Sequence, residues 1–245
     1  MKTISTNIWL VVLLAGCSGF LDEYSQTELR PSTVDDMERI LMGEAYFDKN
    51  DGKILNWGTD LFTDNYRCSE LNAENEYTSI RDKEKQRWRF AWDPEMFDQN
   101  GGGQDVTYWE MPYKRILGCN IVLDYLDEVE GDDVLREYMR GEAHVLRGFY
   151  YFNLVNFFGW PYNDGDPTAN PGVPIKLISG VTDEFFKRNS VAEVYRQVER
   201  DYLRGIELMR ENPRNMMIDR MNCLGAYGLL SRMYLFMEDW DKVIQ

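Results

Sequence analysis

Histidine is almost missing from this sequence: a single residue, His144, in 245. That excludes a multi-histidine metal site and the HExxH zinc motif, and it leaves one imidazole as a candidate base. Positive charge is also scarce, with 27 Lys and Arg against 42 Asp and Glu and a formal charge of -15. So negative a surface repels phosphate backbones, and nucleic acid is not an expected partner. Apolar runs are short. The longest, Ile8 to Ala15, falls well below the roughly 20 residues that a spanning helix needs. The 4 cysteines show no CxxC spacing, and no GxSxG or Cys-His arrangement stands out. No metal or cofactor is expected.

What the chain has in quantity is rings, 7 Trp, 15 Tyr and 12 Phe. An acidic disordered segment would lack them, so the charge must coexist with a folded, ring-rich body. The length fits one large domain or two small ones.

The N-terminus reads as an export address. Lys2 precedes the apolar run, which ends in Leu14-Ala15-Gly16-Cys17, small residues directly before a cysteine. Residues 1–16 are read as a lipoprotein signal peptide whose removal leaves Cys17 as the lipidated first residue. Loss of Lys2, the only charge in that segment, takes the chain from -15 to -16. Cys68, Cys119 and Cys223 then remain, an odd number that leaves at least one thiol unpaired. Cys119 and Cys223 lie inside apolar helical patterns and are expected as buried thiols.

Residues 17–32 read as an extended tether. Thr33, with Asp35 and Asp36 behind it, caps a helix expected to run to about Phe47. From Asp48 to Gln104 turn formers dominate, and a stretch that long between helices is usually functional. Within it, Arg87 to Trp92 alternates, which predicts an extended segment with Trp88, Phe90 and Trp92 on one side. Helices are predicted over Asp105–Val129 and Asp132–Phe158. In the second, Arg136, Arg140, His144 and Arg147 recur at helical spacing, read as a solvated basic stripe, with docking of an acidic partner as the sharper alternative. Glu142 falls on the apolar side of that helix and is expected to pair with an arginine as a buried structural carboxylate.

Gly159 to Asn189 holds four of the eight prolines and is a long excursion between helices, its Asn163-Asp164-Gly165-Asp166 run read as a turn rather than a calcium loop. Ser190-Val191-Ala192-Glu193 has the capping-box pattern and opens an amphipathic helix that ends near Asn212-Pro213. Tyr227, Leu230, Ser231 and Tyr234 follow tetratricopeptide spacing, and Asp241 to Gln245 begins a second helix. The small residue should let that partner approach, while the large rings, Tyr227 included, fill a core with Trp109, Tyr113, Phe149, Tyr150, Phe152 and Tyr234. A hairpin broken one turn into its second helix leads to the expectation that 33–245 is the N-terminal portion of a longer helical domain.

These features together resemble one family. The lipobox, Phe20-Leu21-Asp22-Glu23, the Trp109/Tyr113/Ile116/Asn120 helix, the run Gly141 to Phe152, the Phe158-Gly159-Trp160-Pro161 corner and the Tyr/Leu/Tyr hairpin resemble, in order, the SusD/RagB outer-membrane lipoproteins of Bacteroidetes. Pro112, inside the Trp109 helix, departs from the pattern and is expected in a first helical turn, where proline is tolerated. The resemblance implies a mainly α fold of tetratricopeptide-like hairpins in an α-α superhelix, with long loops and little β structure. It also implies a glycan-binding lipoprotein, anchored in the outer membrane and facing outward, that hands oligosaccharides to a SusC-like TonB-dependent transporter and is not an enzyme.

Sugar binding requires flat rings for the CH face of the sugar and amides or guanidinium groups for its hydroxyls. Trp88 and Trp92 are the candidates for stacking, with Arg67, Asn75 and Asn100 for hydrogen bonds; the alternative is that the rings only pack a strand against the helices. Two other functions stay open. A lipid-anchored glycoside hydrolase needs a carboxylate pair, which so acidic a chain can always supply. A tetratricopeptide-type scaffold would bind protein alone.

Overall fold

The structure is a computed structural model and describes residues 31–46, 87–88, 91–95, 106–215, 217 and 219–244. Thr33 starts α1 (Val34–Ile40): its side chain accepts from the Asp36 amide, and Asp36 returns the contact to the Thr33 backbone as a capping box. The helix then widens into a π turn over Leu41–Ala45, closed by Tyr46 N–H donating to the Leu41 carbonyl at 3.0 Å, so it ends at Ala45 rather than Phe47. Its apolar face, Met37, Leu41 and Ala45, is completely buried.

Among the described residues five further helices follow, the last a single short turn. They are α2 (Val106–Tyr125), continued by a 3-10 turn at Leu126–Glu128, then α3 (Asp133–Phe158), α4 (Val191–Glu211), α5 (Cys223–Phe236) and α6 (Trp240–Val243). Asp132, Ser190 and Asn222 each cap the amide three residues on, and Glu193 completes the capping box of α4. Each helix packs chiefly on its neighbours in sequence, with α3 in the middle between α2 and α4 and α5 lying on α4. This is the stacking of a helical solenoid. Among the described residues there are no strands, only isolated bridges at Thr33–Glu130 and Pro171–Ser190. The fold is mainly α, built of tetratricopeptide-like hairpins.

The core runs through all of these elements from Ser32 onward. Tyr150, Phe152 and Tyr234 are buried in it, with Trp109, Tyr113 and Phe149 packed against its edge. Tyr227 is not part of it and is 46% exposed. Helix α5 is apolar nearly all round, so spacing alone could not choose its covered side; Ala226, Leu230, Met233 and Tyr234 face inward while Leu224 and Tyr227 face out. The small residue does admit its partner: Ser231 Oγ donates to the Val243 carbonyl of α6 at 3.3 Å. Where α3 crosses α4, Gly141 and Gly205 bring the backbones together, and a Cβ on Gly205 would lie 2.7 Å from the Gly141 carbonyl oxygen. Pro112 sits within α2 beyond its first described turn, where it removes one backbone hydrogen bond from the helix interior.

The basic stripe on α3 is neither a solvated face nor a docking patch. Arg147 is buried, with Nε and Nη2 donating to the two oxygens of Asp201 on α4 at 3.0 and 2.7 Å, and His144 Nδ1 lies 2.8 Å from the same carboxylate. Arg136 pairs with Asp133, and Arg140 with Asp127 and Glu137. Their acidic partners lie in the preceding connection, on α3 itself and on α4, so the positive face of α3 is neutralised from both sides. Cys119 is buried, as expected; Cys223 is only half-buried, and neither is in a disulfide.

Candidate functional site

Of the residues proposed to touch a sugar, Trp88 and Trp92 fall among the described residues; Arg67, Asn75 and Asn100 lie outside them, as do Cys17, Cys68 and Phe90. The segment carrying the two tryptophans is not extended. Arg87 and Trp88 are helical and Ala91 and Trp92 lie in a turn, with Ala91 N–H donating to the Arg87 carbonyl at 2.9 Å and Asp93 N–H to the Trp88 carbonyl at 3.0 Å. Alternation is the weaker signal here because a spacing of four serves a helical turn as well as a strand. Trp88 is half-buried, with the Arg87 guanidinium 5.4 Å from its ring centre. Trp92 takes a left-handed backbone, φ 54°, and is 64% exposed. A bulky residue in that conformation is strained and is held by the turn on either side, including Glu95 N–H donating to Asp93 Oδ1 at 2.8 Å. The segment thus carries one large ring turned to solvent, Trp92, and a half-buried one, Trp88, with a guanidinium against it. An exposed indole can stack on an apolar sugar face, and a guanidinium can donate hydrogen bonds to sugar hydroxyls.

The excursion between α3 and α4 is fixed by the ring and amide groups that the sequence pattern singles out. Tyr113 OH donates to the Pro174 carbonyl at 2.8 Å, and Asn120 Nδ2 donates to the Lys176 carbonyl at 3.0 Å. Tyr151 OH donates to that same carbonyl at 2.7 Å and accepts from Lys176 N–H at 2.9 Å. Asn120 is itself oriented from behind, its Oδ1 accepting from Arg147 Nη1 at 2.9 Å. The Trp109/Tyr113/Ile116/Asn120 spacing is thus a device for laying a loop against a helix, with Trp109 packed edge-on to Phe158 at 5.0 Å. The partners of Asn120 could not be read from sequence, because they are backbone carbonyls on a loop with no periodicity of its own.

The Asn163 to Asp166 run makes a turn. Gly165 has φ 76°, and Asp166 Oδ1 accepts from the Thr168 amide and hydroxyl at 2.9 and 2.7 Å. Among the described residues no three His, Cys, Asp or Glu side chains are grouped to hold a metal ion, and no helix is long and apolar enough to cross a membrane.

A family model described as starch-binding and associating with the outer membrane matches residues 19–235. The chain belongs to the SusD-like family. Among solved structures, a SusD-like carbohydrate-binding protein from Bacteroides vulgatus ATCC 8482 is 25% identical, with a TM-score of 0.63 over 86% of this chain and 43% of that one. A SusD superfamily protein from Bacteroides thetaiotaomicron VPI-5482 is 24% identical, with a TM-score of 0.61 over 86% of this chain and 44% of the other. A second Bacteroides vulgatus SusD superfamily protein gives a TM-score of 0.64 at 23% identity. The chain spans less than half the length of each. No curated protein sequence matches it. The SusD-like assignment agrees with the order of motifs along the chain and with the sequential packing of its helices.

Proposed function

We propose that this chain is part of a lipid-anchored, outward-facing binder of glycans at the outer membrane that passes oligosaccharides to a SusC-like TonB-dependent transporter and performs no catalysis itself. The observation that carries this is the family match over residues 19–235, joined to a structural neighbour described as a carbohydrate-binding protein. Cys17 is the proposed lipid attachment site, residues 1–16 the signal peptide and 17–32 the tether that lets the helical body stand off the membrane. The exposed ring of Trp92 supports a stacking surface, to which the half-buried Trp88 and Arg67, Asn75 and Asn100 are proposed to add.

Affinity electrophoresis of the full-length protein through gels containing different polysaccharides tests this. Retardation by at least one neutral or acidic glycan, with Kd raised about tenfold or more in W88A/W92A, is the expected result. Affinity unchanged in that variant removes the tryptophans from the site, and no retardation by any glycan overturns the function. Steady release of reducing ends by the pure protein would make it an enzyme. For the anchor, C17A should move the protein from the membrane fraction into the soluble one.

A further inference from the structure

Between the excursion and α4 lies an open cleft of about 540 Å³, on the scale of a small-molecule site. One wall is Ile175 and Leu177; the other is the α4 face bearing Glu193, Arg196, Gln197 and Arg200. The first wall is fixed, not a loose loop. The backbone around it is held by Tyr113, Asn120 and Tyr151, and Ile175 N–H donates to Asn189 Oδ1 at 3.0 Å. The second wall is a long helix with a closed capping box.

The charges in this cleft differ from those of the chain as a whole. Residues 172–200 contain five Lys and Arg against four Asp and Glu in a protein of net charge -15. Arg196 and Arg200 stand one turn apart on one face of α4, both exposed, and neither is within ion-pair distance of a carboxylate among the described residues. Arg196 Nε donates to the Ala192 carbonyl at 3.3 Å and Arg200 Nη2 to Gln197 Oε1 at 2.7 Å, contacts that orient each fork and leave further donors on it. The one carboxylate in the lining, Glu193, is held in the cap through Oε2, which accepts from Ser190 N–H at 2.8 Å, from Ser190 Oγ at 3.2 Å and from Asn189 Nδ2 at 3.4 Å. Glu199 points elsewhere, accepting from Tyr234 OH and Lys242 Nζ.

Two guanidinium forks opposite two aliphatic side chains match a ligand with an oxyanion at one end and CH groups at the other. Planar forks favour carboxylate and sulfate oxygens over neutral hydroxyls. We propose that this cleft binds the acidic substituent of a sugar unit, a uronate carboxylate or a sulfate ester, with Arg196 and Arg200 as its ligands and Ile175 and Leu177 against the ring. This rests on the glycan-binding reading and adds to it a preference for acidic glycans.

Isothermal titration of the full-length protein at low ionic strength, with oligogalacturonate, a sulfated galacto-oligosaccharide and a neutral gluco-oligosaccharide, tests it. R196Q/R200Q removes both forks from exposed positions, and R204Q, whose side chain pairs with Glu207 one turn on, is the control. The expected result is binding of one or both acidic probes, weakened about tenfold or more in R196Q/R200Q and unchanged in R204Q, with any neutral binding unaffected. Which acidic probe binds separates carboxylate from sulfate recognition. Neutral binding with no acidic binding, or acidic binding indifferent to R196Q/R200Q, overturns the cleft assignment and leaves the glycan-binding function standing. Failure of all three probes, together with no retardation in the polysaccharide gels, overturns both.

Discussion

Glu142 and Arg220 lie 78 residues apart in sequence and meet as a forked pair in the interior: Arg220 Nε donates to Glu142 Oε1 at 2.9 Å and Nη2 donates to Oε2. Glu142 is wholly buried. Its Oε1 also accepts from Tyr46 OH at 2.7 Å, while that hydroxyl accepts from Met221 N–H at 2.7 Å. Arg220 reaches on to Glu38, which Arg214 Nη1 also contacts at 2.7 Å. Through this one network α1, the exit from its π turn, α3 and the approach to α5 are locked together. Burial pushes the Glu142 carboxyl above its usual range, against the opposing pull of Arg220 and Tyr46. The desolvation cost of both charges offsets much of their attraction, so breaking the pair by removing one partner costs more than the intact pair adds.

Removing Arg220 alone should strand the Glu142 carboxylate. R220M is expected to cost about 3–5 kcal/mol at neutral pH, and R220M/E142Q to recover a large part of that. Thermal or urea unfolding of the three proteins measures the difference, and equal losses in single and double variants would show that Arg220 matters only for its packing.

Tyr202 is completely buried on α4, and its hydroxyl finds no hydrogen-bond partner among the described residues. Y202F should be neutral or stabilising by about 1 kcal/mol, since it deletes an unsatisfied polar atom at constant shape. Y195F is the contrast. Its hydroxyl donates to Asn156 Oδ1 at 3.0 Å, and its loss should cost about 1 kcal/mol. Matching midpoints in urea for the two variants would contradict the assignment.

At the α3–α4 crossing G205A should destabilise by about 1–3 kcal/mol, because the new methyl meets the Gly141 carbonyl and Val145 Cγ2. G228A, on α5 with nothing within 4 Å of its new Cβ, should instead gain up to about 1 kcal/mol of helix propensity. Opposite signs for the same chemical change are the readout.

Burial would raise the Asp201 carboxyl, but hydrogen bonds from His144 and Arg147 and their charges outweigh it and hold the group below its usual range. A depressed carboxylate binds fewer protons folded than unfolded, so its contribution to stability is complete above the ordinary carboxylate range. That contribution is lost as pH falls through the lower folded value. D201N should flatten the acid limb of the stability profile and lower the neutral plateau, as followed by urea unfolding from pH 3 to pH 7. An unaltered acid slope would assign acid sensitivity to other carboxylates, such as Asp36 and Glu38, which are also held low.

The sequence by itself determined where α1, α3 and α4 begin. Thr33 and Ser190 cap the helices they were expected to cap, α3 begins where the pattern starts at Asp132, and the apolar rows of α1, α3 and α4 are the buried ones. It also determined the family, through motifs whose order survives at low identity, and the pairing of Glu142 with an arginine. These are local signals: a cap, a turn residue and an amphipathic row act within a few residues of themselves. Tertiary structure alone decided the rest. Arg147 and His144 resembled a solvated stripe until Asp201, more than fifty residues on, was packed against them. Tyr227 fitted a core spacing on a helix apolar on every side, and only the position of α4 left it exposed. Arg196 and Arg200 gave no motif at all, since a cleft exists only once Ile175 and Leu177 are pinned opposite them. The physical reason is the same in each case: whether a charge is solvated or paired, and whether a ring is covered or bare, depends on which distant surface is packed against it, and short-range spacing does not encode that surface.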